Sequence, residues 1–212
     1  AFNWEAENLP AIVEAWYPGQ AGGTAIADVL FGDYNPSGRL PVTFYKSINQ
    51  IPAFENYDMK GKTYRYFDGE PLYSFGYGLS YSTFEYNWNT VPENIQAGDT
   101  LKVSVNVKNI SNRAGDEIVQ LYASLQNTKL KVPIRSLQGF QRIHLKPGES
   151  KMVSFTLTPK QMSGRDDYNF SKVAPGQLLL SVGGQQPVGK VNNPNKFILK
   201  YIKIQGKPYY IK

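Results

Sequence analysis

The sequence predicts a mainly β chain, a β-sandwich preceded by one strand–helix unit of a parallel α/β sheet and an aromatic linker. Three observations predict it. From residue 91 onward apolar residues recur with period two, in short runs separated by turn residues, as strands with one buried face require. Residues 16–45, WYPGQAGGTAIADVLFGDYNPSGRLPVTFY, instead hold one short stretch in which Ile26, Val29 and Leu30 fall at three- and four-residue spacing, a helical period. Charge shifts with texture: residues 1–90 carry 5 Lys and Arg against 10 Asp and Glu, and residues 91–212 carry 18 against 7.

Phe2 and Trp4 beside Glu5, Ala6, Glu7 and Asn8 suggest a helix end. The mostly apolar run from Leu9 to Trp16 then reads as a strand leading through the Pro18-Gly19 turn into a helix, one unit of a parallel sheet. The helix is expected after Gly22 and Gly23, with Thr24 as N-cap. Ile26, Val29 and Leu30 would form its apolar face, with Gly32 as its stop. Asn35, Pro36, Ser37 and Gly38 are expected to turn. A parallel strand needs neighbours, and no further strand–helix alternation follows. The missing strands are therefore expected in upstream polypeptide or in another chain.

Residues 46–74 form a long connector dense in aromatics, among them Phe54, Tyr57, Tyr64, Tyr66, Phe67 and Tyr73. A short strand is expected over 63–67, between turns at Lys60-Gly61 and Asp68-Gly69. Such a connector either packs as a strap or carries function. In the functional reading, Tyr64 and Tyr66 stack on a ligand ring while Arg65 hydrogen-bonds its polar groups. In the other, the aromatics are burial area holding two units together. Phe84, Tyr86 and Trp88 alternate as a strand face, which puts the domain boundary near residue 80. The expected divisions are 1–45, 46–80 and 81–212.

Strands are expected over 101–108, 117–124, 136–145, 151–158, 177–182 and 197–204, with turns at 109–115 and at Lys146-Pro147-Gly148-Glu149. About six or seven short strands in this length indicate a sandwich. The tail, 185–212, has an Asn193-Pro194 loop and a Lys-rich last strand, and its role is left unassigned.

Composition excludes several chemistries. Without Cys there are no disulfides, thiol nucleophiles or thiolate metal sites. His144, the single histidine, is too little for a His-based metal cluster or a convincing triad. It is expected to be a satisfied structural residue. Phosphate-loop, dinucleotide and Gly-x-Ser-x-Gly patterns are absent, so no cofactor or metal is expected. The basic half lacks clustered Arg with interleaved aromatics. Lys196, Lys200 and Lys203 are read as a solvated face, with no nucleic-acid partner, and no apolar run is long enough to span a bilayer.

The segment YPGQAGGTAIADVLFGDYNPSGRLPVTF closely resembles the signature that ends the second domain of glycoside hydrolase family 3. FGYGLSYSTFEY, residues 75–86, resembles that family's link into its fibronectin type III-like domain. GDEIVQLYAS (115–124) and RSLQGFQRIHLKPGESKMVSFTL (135–157) resemble that third domain. The resemblance implies an immunoglobulin/fibronectin type III-like β-sandwich, preceded by the last strand–helix unit of an α/β sandwich domain. For the parent protein it implies a secreted, periplasmic or extracellular retaining glycosidase that removes non-reducing-end β-linked sugars. Its partners would be the upstream barrel and α/β sandwich domains and a β-linked oligosaccharide. AWYPGQAGG followed by MKGKTYRYF and EPLYSFGYGLSY resembles the β-xylosidase branch more than the β-N-acetylhexosaminidase branch, with xylose preferred over glucose as the sugar.

A retaining glycosidase needs two carboxylates about 5 Å apart across the scissile bond. In the family both catalytic groups lie upstream of the motif that opens this chain, so no catalytic residue is carried over. Asp28 and Asp33 match family positions but are expected to make polar contacts and caps, and Glu70 is read as a turn residue. The chain alone is expected to be inactive. The candidate substrate contacts are Tyr64, Arg65 and Tyr66. A non-catalytic module that binds glycan or scaffolds other domains is the competing reading.

Overall fold

A computed structural model describes residues 1–187, 193 and 195–212. Helix α1, Asn3–Asn8, is followed by residues that form no strand. The strand expected over 9–16 runs without ladder partners, because no neighbouring strand reaches it; residues 10–15 make no backbone–backbone hydrogen bond among the described residues. Helix α2, Gly22–Phe31, begins three residues before the expected start, with Ala21 rather than Thr24 at the N-cap. The turn closed by Gly22 N on Gly19 O at 2.9 Å already sets the first helical residues. Its end is the expected one: Gly32 takes φ 86° and donates its N–H to Val29 O, a left-handed cap that a side chain would strain.

Residues 35–38 form neither the expected turn nor any regular element. The Asn35 side chain, instead of capping a local turn, joins distant backbone. Its Nδ2 donates to Ser82 Oγ at 2.8 Å and Ala114 O at 2.9 Å. Its Oδ1 accepts from Ser80 Oγ and Tyr81 N, both at 2.9 Å.

The segment expected as a strand at 63–67 is one helical turn, α3, Thr63–Tyr66. No strand among the described residues pairs with it. Thr63 N instead donates to Tyr45 Oη at 3.0 Å, and Phe67 N closes the turn on Thr63 O at 2.9 Å.

The sandwich begins with β1 (Phe84–Thr90), β2 (Asn94–Gln96), β3 (Leu101–Asn109) and β4 (Gly115–Gln126). It continues through β5 (Ser136–Leu145), β6 (Ser150–Leu157), β7 (Gly164–Arg165), β8 (Ser171–Val173), β9 (Gly176–Gly183), β10 (Phe197–Gln205) and β11 (Tyr209–Tyr210). One sheet has the order β1-β3-β6 and the other β2-β10-β9-β4-β5; a small third sheet is β11-β8-β7. Pairing is antiparallel except for β2 on β10. The six expected sandwich strands are present, while β2, β7, β8 and β11 are too short to show a period. In the tail, β10 is an inner strand of the larger sheet. Ile202 and Ile204 face the core while, of the expected solvated face, Lys196 and Lys203 stay exposed and Lys200 is half-buried. Of the expected Asn–Pro loop, Pro194 lies outside the described residues.

Alternation builds the core. Leu101, Val103, Val105 and Val107 of β3 meet Val153, Phe155 and Leu157 of β6, and opposite them lie Val119, Leu121, Leu178, Leu180 and Val182. Each of these is nearly excluded from solvent; a fully buried Val, Leu or Phe contributes about 1.5–3 kcal/mol. Strand β4 departs from the pattern, because five consecutive residues from 119 to 123 are buried. Both of its faces are covered, one by the core and the other by the linker.

Candidate functional site

On β4 the face opposite Val119 and Leu121 presents Asp116, Ile118, Gln120 and Tyr122, and the linker docks there. Gln120 Nε2 donates to Gly76 O at 3.1 Å and Gly184 O at 2.9 Å, and its Oε1 accepts from Tyr122 Oη at 2.6 Å. Burial pushes the Tyr122 phenol far above its usual range. Gly76 sits where a side chain could not: φ is +77°, and a Cβ would lie 2.3 Å from Gln120 Oε1 and 2.6 Å from Tyr122 Oη.

At the rim of the core Arg39 reaches Glu117. Its Nη2 is 2.8 Å from Glu117 Oε1 and its Nε donates to Gly184 O at 2.7 Å. Burial pushes the Glu117 carboxyl up, while the Arg39 guanidinium and the Ile118 N–H pull it back. Nearby, Asp116 accepts from Arg142, which also donates to Tyr34 Oη at 2.9 Å. His144 Nδ1 lies 2.6 Å from Asp116 Oδ1, the structural role expected of it.

The three candidate substrate contacts diverge. Tyr64 stacks on Phe75 (centroids 4.1 Å apart, planes at 12°), meets Tyr122 edge-on at 6.2 Å, and accepts Leu137 N at 3.1 Å. The Arg65 carbonyl accepts Ile134 N at 2.7 Å. Its guanidinium lies 5.8 Å from the Tyr66 ring centroid and has no carboxylate within ion-pair distance among the described residues. Tyr66 is half-buried beneath it.

Two clefts open beside the linker. The first, about 330 Å³, lies between Arg65, the ends of β4 and β5, and a 3-10 turn at Pro159–Met162. The second, about 700 Å³, lies between residues 13–38 and the Ile118 and Arg142 side of the sandwich. The first is lined by no acid and the second by Glu14 alone, so neither holds the carboxylate pair that glycoside cleavage requires. Asp28 and Asp33 do not cap through their side chains: neither carboxylate has a hydrogen bond or ion pair among the described residues. Glu70 pairs with Lys46 at 2.8 Å, an exposed contact that holds its carboxyl below the usual range. No cluster of three metal-ligating side chains occurs among the described residues.

Sequence reasoning missed Asn35, Arg39, Glu117 and Gln120. One signal was available: Glu117 shares the inward parity of Val119 and Leu121, where a charge demands a partner. Nothing local marks Arg39 as that partner, since it comes from 78 residues away.

The fold and its contacts define a β-sandwich module to which an aromatic linker straps a helix-bearing segment. Residues 1–81 match the model of the glycosyl hydrolase family 3 C-terminal domain, and residues 117–186 match the fibronectin type III-like domain. The chain belongs to glycoside hydrolase family 3. It is 46% identical over 181 residues to the xylan 1,4-beta-xylosidase of Xylanibacter ruminicola, which covers 84% of this chain and 21% of the relative. It is 38% identical over 192 residues to the periplasmic beta-glucosidase of Salmonella typhimurium, covering 84% and 25%. Among solved structures, the beta-glucosidase of Kluyveromyces marxianus with glucose superposes with a TM-score of 0.79 at 34% identity, over 97% of this chain and 26% of that one. The beta-glucosidase of Listeria innocua superposes with a TM-score of 0.75 at 32% identity, over 92% and 28%. The chain thus spans about a fifth to a quarter of the curated relatives it matches.

Proposed function

We propose that this chain is the C-terminal portion of a retaining, exo-acting β-xylosidase or β-glucosidase. In this reading the segment is structural, and both catalytic carboxylates come from upstream barrel and α/β sandwich domains. One observation carries it. The clefts lack a carboxylate pair, while Ile12, Val13, Trp16, Tyr17, Leu30 and Phe31 stand exposed and the backbone of 10–15 has no ladder partner among the described residues. Such a surface suits the neighbouring strands and helices of an α/β sheet.

Residues 1–45 then close the α/β domain, 46–80 link, and 81–212 form the sandwich. Tyr64 fixes the linker by its Phe75 stack, and Arg65 with Tyr66 offers the sugar contact. The similarity to a periplasmic beta-glucosidase supports a periplasmic or extracellular location and a role in carbohydrate metabolism. No helix among the described residues is long and apolar enough to cross a membrane.

The test is hydrolysis of 4-nitrophenyl β-xyloside, β-glucoside and β-N-acetylglucosaminide by the polypeptide that joins this chain to its upstream domains, with the product anomer read by NMR. Xyloside or glucoside cleavage with retention is expected. Binding of glycan without turnover by the joined polypeptide would favour a non-catalytic module instead.

A further inference from the structure

The first cleft is built unlike a packing defect. Its lining includes two cations, Arg65 and Lys160, and no acid. Neither cation has a carboxylate within ion-pair distance among the described residues. Cations left without counter-charge at one polar concavity attract an anion, and Arg and Lys bind carboxylates through charge-assisted hydrogen bonds. The Ser136 hydroxyl and the Gln138 side-chain amide also line the cleft, and neither is engaged by another protein group among the described residues. Val132 and Pro133 supply apolar wall.

Hydroxyl and amide groups beside a small apolar wall suit the two surfaces of a sugar ring, its hydroxyl edge and its C–H face. At about 330 Å³ the cleft is at the lower end of the roughly 300–1,000 Å³ usual for ligand sites, sized for one or two rings. The backbone of its walls is fixed. Arg65 is tied to the sandwich by the 2.7 Å bond from Ile134 N, and Lys160 sits on the 3-10 turn closed by a Thr158–Gln161 capping box.

We propose that this cleft binds an acidic sugar, a uronate, with Arg65 and Lys160 holding its carboxylate and Ser136 and Gln138 its hydroxyls. The proposal deepens the glycan-directed role given to Arg65 above and rests on that reading. It supplies the charge preference that role lacks: a glycan bearing uronate residues is retained on the protein, and a neutral one is not.

Calorimetric titration of the protein with sodium glucuronate, glucose, sodium acetate and sodium phosphate tests it, on wild type, Lys160→Gln, Lys160→Arg and Arg65→Gln. Circular dichroism melts show that each variant is folded. Glucuronate affinity is expected to fall about tenfold or more in Lys160→Gln and in Arg65→Gln, as loss of one charge-assisted contact implies, and to recover in Lys160→Arg. Raising salt from about 20 to about 300 mM should weaken it further. Glucose affinity should be the same in all four proteins, and acetate and phosphate should bind at least about tenfold more weakly than glucuronate. Glucuronate affinity unchanged in both neutral variants would overturn the proposal. So would equal losses for glucose, or phosphate bound as tightly as glucuronate, which would mark a site for free anions. Aryl glycoside hydrolysis is a separate readout, so failure of the glycosidase reading leaves a distinct signature from failure of this one.

Discussion

The Arg39 guanidinium and the Glu117 carboxylate meet at 2.8 Å with their side chains only 9% and 5% exposed. One comes from the segment after α2 and the other from the second half of the molecule, so the pair clamps the two together. The clamp is reinforced at Gly184, whose carbonyl accepts from both Arg39 and Gln120. Removing one member leaves the other buried and uncompensated. Glu117→Gln or Arg39→Met is expected to cost about 3–5 kcal/mol in urea unfolding, and the Arg39→Met/Glu117→Leu double variant well under the sum of the single costs. Additive costs would show that the two residues act independently.

Gly76 and Gly148 separate backbone strain from close approach. Both have φ near +75°, but a Cβ on Gly148 meets nothing within 4 Å, whereas on Gly76 it meets the Gln120–Tyr122 pair. Gly148→Ala should cost about 1–2 kcal/mol, the left-handed penalty alone. Gly76→Ala should cost about 1–3 kcal/mol more, because overpacking adds to it. Equal losses in thermal unfolding would place the linker off the β4 face.

Arg65 contributes its backbone carbonyl to the fold, and its guanidinium meets the Tyr66 ring but no carboxylate among the described residues. Arg65→Ala should therefore change stability by no more than about 0.5 kcal/mol. In the joined enzyme it should alter the ratio of kcat/KM between substrates. A large fall in melting temperature with an unchanged ratio would make Arg65 a packing residue.

Asp116 gives the acid-side pH dependence. Burial would raise its carboxyl, but hydrogen bonds from His144 and Arg142 together hold it below the usual range. A depressed carboxylate stabilises the fold above the unfolded-state value of about 3.9, and loses that contribution as pH falls through the lower folded value. The melting-temperature difference between wild type and Asp116→Asn should shrink as pH falls below the unfolded-state carboxyl value of about 3.9. A difference that grows on acidification would reverse the sign.

The sandwich was legible because β3 and β6 bury every second residue along most of their length, and the sequence shows it. The linker was not. Alternating aromatics at 63–67 suit a strand, and only the absence of a partner strand curls them into α3. Asn35 carries turn chemistry in Asn-Pro-Ser-Gly, yet its amide is satisfied by Ser80, Tyr81, Ser82 and Ala114 across the chain. Local propensity decides such residues when nothing distant competes, and here four distant groups do. The first cleft was visible only through Arg65, because Lys160 joins it through the fold.

The most direct test of the central claim is turnover by these 212 residues alone, purified and assayed on 4-nitrophenyl β-xyloside and β-glucoside beside the joined polypeptide. No hydrolysis above the uncatalysed rate is expected from the chain alone, and full activity from the joined form. Saturable hydrolysis by the chain alone, abolished by Glu70→Gln or Asp28→Asn, would contradict the assignment of both catalytic carboxylates to upstream domains.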